Sequence, residues 1–207
     1  MPLPRVHIFA VLVLLGLLLV SGLQPYDRLT WLMEVMPVLI AIPVMACTWR
    51  RYPLTGLLYA LIFVHCVILI YGGEYTYARV PLGFWLQDML GTLRNPYDKI
   101  GHFAQGFVPA MIAREIFVRG AYVRGRTMLA FLSVCVAMAI SAWYEIIEWA
   151  AALVMGQGAD EFLGLQGDQW DTQSDMFLAF LGASCALMLL SRWHDRLLAR
   201  QMSGQAG

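Results

Sequence analysis

The chain has 207 residues, 60% of them hydrophobic and only 14% charged, with cations and carboxylates in equal number. A soluble domain carries about 25% charge, so the composition excludes an ordinary soluble fold, and the zero net charge gives no reason to expect a nucleic-acid partner. Most of the length is expected to lie in lipid, which makes membrane lipids the expected partners.

A spanning helix needs roughly 20 mainly apolar residues. Six such segments are predicted, at about 6–24, 31–48, 54–71, 97–118, 127–151 and 175–192. The first follows Arg5 and resembles a signal peptide in outline. Its continuation, Ser21-Gly22-Leu23-Gln24, is a poor cleavage site, so it reads as an uncleaved helix. The second contains Pro37 and Pro43, which bend a membrane helix. Cys47, Cys66, Cys135 and Cys185 all fall in apolar runs without a CxxC spacing and read as small buried hydrophobes. The expected fold is an all-α polytopic membrane protein: a six-transmembrane helix bundle with structured outer loops, one membrane domain over 1–207, and a flexible tail at 201–207.

Positive charge orients the spans. Arg5, Arg50, Arg51, Arg114, Arg119, Arg124, Arg126, Arg192, Arg196 and Arg200 fall on one side, leaving Arg28, Arg79, Arg94 and Lys99 on the other. Both termini are therefore expected in the cytoplasm, and loops 25–30, 72–96 and 152–174 outside. Within the second of these, 79–94 is amphipathic enough to form a short interfacial helix anchored by Phe84 and Trp85, with a compact surface loop as the alternative.

Three charged clusters stand out, because ionisable groups near apolar spans are expensive. In the first, Asn95-Pro96-Tyr97-Asp98 reads as a helix start, which makes Asp98 at least a capping carboxylate. His102 lies one turn deeper on the same face and Gln105 continues it, while Lys99 points elsewhere. His102 reads as a ligand or acid/base group, or else as a partner in an interhelical hydrogen bond. In the second, Glu145 and Glu148 are helix-face neighbours. Glu145 lies roughly 27 Å along the helix from Thr127, at about 1.5 Å per residue. Trp143, Tyr144 and Trp149 around them suit an interfacial aromatic belt. In the third, Asp168, Asp171 and Asp175 follow Gly164 and Gly167 and form one stripe if helical, roughly 25 Å from Arg192. The latter two clusters also read as solvated acidic surface. All three are expected at one depth on the outer side, as one site.

The runs YDKIGHFAQGFVPA, Glu145-Ile146-Ile147-Glu148-Trp149 and FLGLQGDQWDTQSDM resemble the bacterial inner-membrane YjdF type, a family of uncharacterised function. The resemblance implies a multi-pass protein of the inner membrane. More remotely, Asp98, Lys99, His102, Phe103, Glu145, Asp171, Asp175 and Gly182 are similar to VanZ-like proteins, a family linked to glycopeptide resistance. That family usually places a glutamine where this chain has Glu148, and often an arginine before the aspartates.

An oxygen-rich set with one imidazole suits a divalent ion, Mg, Mn, Ca or Zn. The function expected first is a metal-dependent hydrolase or transferase acting on a lipid head group. His102, Glu145 and Asp98 are its expected catalytic groups and Glu148, Asp168, Asp171 and Asp175 its metal ligands. Lys99, Arg94, Gln105 and Trp170 are expected to bind substrate. The alternatives are a non-catalytic binder or transporter of a divalent cation or small polar ligand, and a structural subunit.

Overall fold

The structure, a computed structural model, describes residues 5–155 and 168–205. Its regular elements are all helices: α1 Arg5–Leu23, α2 Arg28–Thr48, α3 Gly56–Glu74, α4 Pro81–Leu90, α5 Tyr97–Arg119, α6 Arg126–Met155 and α7 Asp171–Gln205. Five of them, α1, α2, α3, α6 and α7, are long and apolar enough to cross a membrane. Six were predicted, and five meet this measure among the described residues. At 23 residues α5 is long enough, but Asp98, Lys99, His102, Arg114, Glu115 and Arg119 make it too polar to count with the rest. Its polar groups are covered by protein: His102, Gln105, Arg114 and Glu115 are all buried. At the end of the chain α7 continues through Gln205; Leu197, Leu198, Ala199, Arg200 and Gln201 are strong helix formers that carry it on. Cys66 is buried, but Cys47 and Cys135 lie on exposed helix faces, so they do not pack in a core as expected.

The chain forms two compact units. The first holds α1, α2, α3 from Phe63, α4, the first turn of α5 through Gly101, the end of α6 from Ile147, and Asp168–Asp171. In it the indole of Trp31 donates to Ser21 Oγ at 3.0 Å and lies against Gly22, joining α1 to α2. Asp27 caps α2 by accepting the Thr30 N–H at 2.8 Å, which holds its carboxyl below the ordinary 3.8. A carboxyl depressed on folding stabilises above its unfolded pKa, so this cap works at neutral pH and is lost in strong acid.

After α3 the chain turns through Thr76 and Tyr77, both in the left-handed region. The Tyr77 ring fits against Gly72 and Gly101, where a Cβ would collide with it. Pro81 then starts α4 and Gly91, at φ 64°, ends it. The helical alternative for 79–94 is the one that forms, with Phe84 and Trp85 exposed. Asn95 links α4 to α5. Its Oδ1 accepts the Tyr97 N–H and its Nδ2 donates to the Val80 carbonyl, each at 3.0 Å, and Gly83 has no Cβ to obstruct it. Asn95→Ala is expected to lower stability by about 1–3 kcal/mol, because both buried backbone groups lose a partner. Asn95→Asp keeps the first bond, turns an acceptor onto the Val80 carbonyl, and is expected to cost more. Thermal unfolding of the protein in lipid nanodiscs measures both.

The second unit holds α3 to Ile62, α5 from His102, α6 to Ile146 and α7 from Thr172. Leu57, Leu58, Met111, Ala186 and Leu187 form its core. In an aqueous reference each large side chain so buried contributes about 1.5–3 kcal/mol. α5 and α7 cross with their backbones in contact. A Cβ on Gly106 would overlap the Ala179 carbonyl, and one on Gly182 would overlap the Phe103 carbonyl. Next to this crossing Ala110, Ala137 and Ala183 pack into a fully buried layer that brings in α6. Small residues let helix backbones approach where lipid supplies no hydrophobic drive.

Candidate functional site

The crossing of α5 and α7 sets what lies two turns beyond the alanine layer. Counting eight residues back along α5 and α7 and eight forward along α6 reaches His102, Asp175 and Glu145. All three are buried, at 6%, 3% and 8% exposure. The imidazole is the centre of the group. Its Nδ1 is 3.0 Å from Gln105 Oε1 and 3.8 Å from Glu145 Oε1, and its Nε2 is 3.9 Å from Asp175 Oδ2. Only the contact with Gln105 is short enough for a hydrogen bond. In the tautomer with its proton on Nδ1 the ring donates to Gln105 Oε1 and turns the Nε2 lone pair toward Asp175.

This arrangement has two chemical uses. Ligands about 2.0–2.2 Å from one ion can lie up to about 4.4 Å apart, so the space between Nε2 and Asp175 admits a divalent cation, and Gln105 holds the ring as an outer-shell partner. The same ring, with a carboxylate toward each nitrogen, can pass a proton between them. Of these four groups only the imidazole can become positive, and a divalent cation would offset the charge of the two buried carboxylates.

The other predicted residues lie in the first unit. Arg94 bonds to Asp171 and pairs with Asp168 at 2.9 Å. Asp168 also accepts the Trp170 N–H at 2.9 Å. Two of the expected metal ligands thus serve an arginine that ties the start of α7 to the chain before α5, and that arginine, an expected anion binder, is itself engaged by carboxylates. Asp98 and Lys99 are half-buried in the first turn of α5, with Asp98 one turn ahead of His102. Glu148 is half-buried, and Trp170 is exposed. Gly164 and Gly167 lie outside the described residues.

A second buried polar centre, also in the second unit, was not singled out from the sequence. Glu115 accepts from Thr55 Oγ1 at 2.8 Å, from the Thr55 amide, from His194 Nε2 at 2.9 Å and from Arg119 at 3.1 Å. Arg114 donates to His194 Nδ1 at 2.8 Å and to Asp195. Arginine has no acceptor, so Nδ1 must be bare and Nε2–H must be the donor to Glu115. His194 is therefore fixed as one neutral tautomer.

Residues 6–196 match the family model described as "Predicted membrane protein (DUF2238)". The chain belongs to the DUF2238 family. It is 63% identical over 191 residues to "Inner membrane protein YjdF" of Escherichia coli (strain K12), covering 92% of this chain and 91% of that protein. The resemblance carried by the three runs is thus borne out, and this DUF2238 member is a multi-pass membrane protein. Neither match bears on the VanZ-like likeness. No solved structure matches the chain.

Proposed function

We propose that this DUF2238 protein lies in the bacterial inner membrane, both termini in the cytoplasm. In this reading its His102 site faces outward and hydrolyses or transfers a lipid head group with a divalent cation. The observation that carries the proposal is the buried imidazole with a carboxylate toward each ring nitrogen, oriented by Gln105. His102 Nε2 and Asp175 hold the cation (Mg, Mn, Ca or Zn), and Glu145 is the base. The cation supplies Lewis-acid polarisation and an activated water. Inner-membrane placement agrees with the printed name of the 63%-identical relative, and the orientation rests on the distribution of arginines.

The binder or transporter remains the second reading, and the Glu115–His194 centre favours it, since it puts buried polar groups near the other end of the α5–α7 pair. Between the two centres, however, Ala110, Ala137 and Ala183 close the core. A conducting path needs polar groups through that layer, which places the enzyme first.

Lipid analysis of cells lacking the protein, complemented with wild type, His102→Ala or Glu145→Ala, tests the reading. Both variants are expected to leave the lipid profile of the deletion strain unrestored at normal protein abundance. Wild-type profiles from both would rule out the enzyme. Elemental analysis of the purified protein, with and without His102, tests the cation separately.

A further inference from the structure

We propose that Ser141 belongs to the His102 site and, together with Glu145, holds the water that the site consumes; this rests on the hydrolytic reading above. Ser141 is fully buried on α6, and its Oγ has no hydrogen-bond partner among the described residues. A buried hydroxyl in that state is costly. Inside a helix the usual remedy is to turn back onto a carbonyl about one turn earlier. Ser133 does so onto Leu129 at 2.7 Å, Ser21 onto Leu18 at 3.2 Å, and Ser191 onto Leu187. Ser141 makes no such bond, which leaves its hydroxyl free to hold a water.

Its neighbours follow from the register. Ser133, Ala137, Ser141 and Glu145 are four apart and form one buried stripe of α6. Ala137 packs with Ala110 and Ala183. One turn outward from that layer on the three helices stand Gly106, Ser141 and Ala179, and one turn further stand His102, Glu145 and Asp175. Gly106 and Ala179 meet backbone to backbone and bring no polar side chain. Ser141 is therefore the polar group at the closed end of the site, directly inward of Glu145. A water held between two oxygens at about 2.8 Å from each spans the gap between side chains one turn apart.

The chemistry balances. The oxygen of that water bonds to the phosphorus or carbonyl carbon of the head-group ester while one of its protons passes to Glu145. The departing ester oxygen takes that proton back from Glu145, so water is added across the ester bond. Ser141 positions the water and forms no bond to substrate.

The test uses the full chain in lipid nanodiscs. If Ser141 holds a water, Ser141→Ala and the nearly isosteric Ser141→Cys each lower Tm by about 2–4 °C, and an experimental density map shows an ordered water within hydrogen-bond distance of Ser141 Oγ and Glu145. A dry hydroxyl behaves oppositely: Ser141→Ala then leaves Tm unchanged or raises it, and no water peak appears, which would overturn the proposal. Failure of the hydrolytic reading looks different, with normal lipid profiles from His102→Ala and Glu145→Ala whatever the sign at Ser141.

Discussion

Replacing Glu115 with alanine is expected to lower stability by about 3–5 kcal/mol, the cost of removing one partner from a buried charged group. The carboxylate accepts from the start of α3 through Thr55, from Arg119 one turn further along its own helix, and from His194 on α7. Taking it away strands an amide, a hydroxyl, an imidazole N–H and part of a guanidinium in a fully buried space. Glu115→Gln keeps the volume but presents an NH2 to a set of donors, so it should destabilise by about 1–3 kcal/mol. His194→Ala removes the neutral imidazole that bridges Arg114 to Glu115 and leaves two donor–acceptor demands unmet. A double-mutant cycle between Glu115 and His194 should give a coupling of about 0.5–3 kcal/mol, since they share one network. Unfolding in nanodiscs, checked against abundance in cells, reads all of these. A loss below about 1 kcal/mol for Glu115→Ala would mean that the centre contributes little to holding the second unit together.

That centre also shows where the sequence stops being legible. Arg114 and Arg119 read naturally as cations at the cytoplasmic edge, and a last span ending at residue 192 leaves His194 and Asp195 beyond it. The helices do not stop there. α7 runs to Gln205, so His194 and Asp195 lie well inside it and face α5. The misreading was of length, because hydropathy marks the part of a helix that suits lipid and not the part that continues beyond it. The same limit affected α5. Its polar residues are tolerated because neighbouring helices bury them, and no composition window records what lies alongside. By contrast, the helix start at Asn95, the shared face of Asp98 and His102, and the amphipathic stretch now seen as α4 were legible, because each depends on residues within a few positions of one another. His102, Glu145 and Asp175 could be nominated from the sequence. The Arg94 clamp on Asp168 and Asp171 could not, since residues 94 and 171 are joined only by the fold.

Gly106→Ala and Gly182→Ala should each destabilise the protein by about 1–3 kcal/mol, the cost of forcing extra atoms into a packed core. The sign is what makes the result informative. On an open helix face the same exchange stabilises by about 0.5–1 kcal/mol, because alanine loses less backbone freedom on folding. Gly16, in α1, has nothing within 4 Å of where its Cβ would lie, so Gly16→Ala is expected to be neutral or stabilising. At Gly106 the new methyl would occupy the position of the Ala179 carbonyl, and at Gly182 that of the Phe103 carbonyl, so the two backbones must separate. Neither obstacle is a side chain that can rotate away. The consequence reaches the site one turn away. His102 and Asp175 are held 3.9 Å apart by that crossing, and moving the helices apart opens a gap that a cation bound at about 2.0–2.2 Å from each ligand can no longer bridge. Gly106→Ala should therefore weaken Mn2+ binding by at least tenfold even where the protein still accumulates, while Gly16→Ala leaves it unchanged. Titration of both variants with Mn2+, followed by its paramagnetic resonance signal, separates a crossing that positions the site from one that only packs.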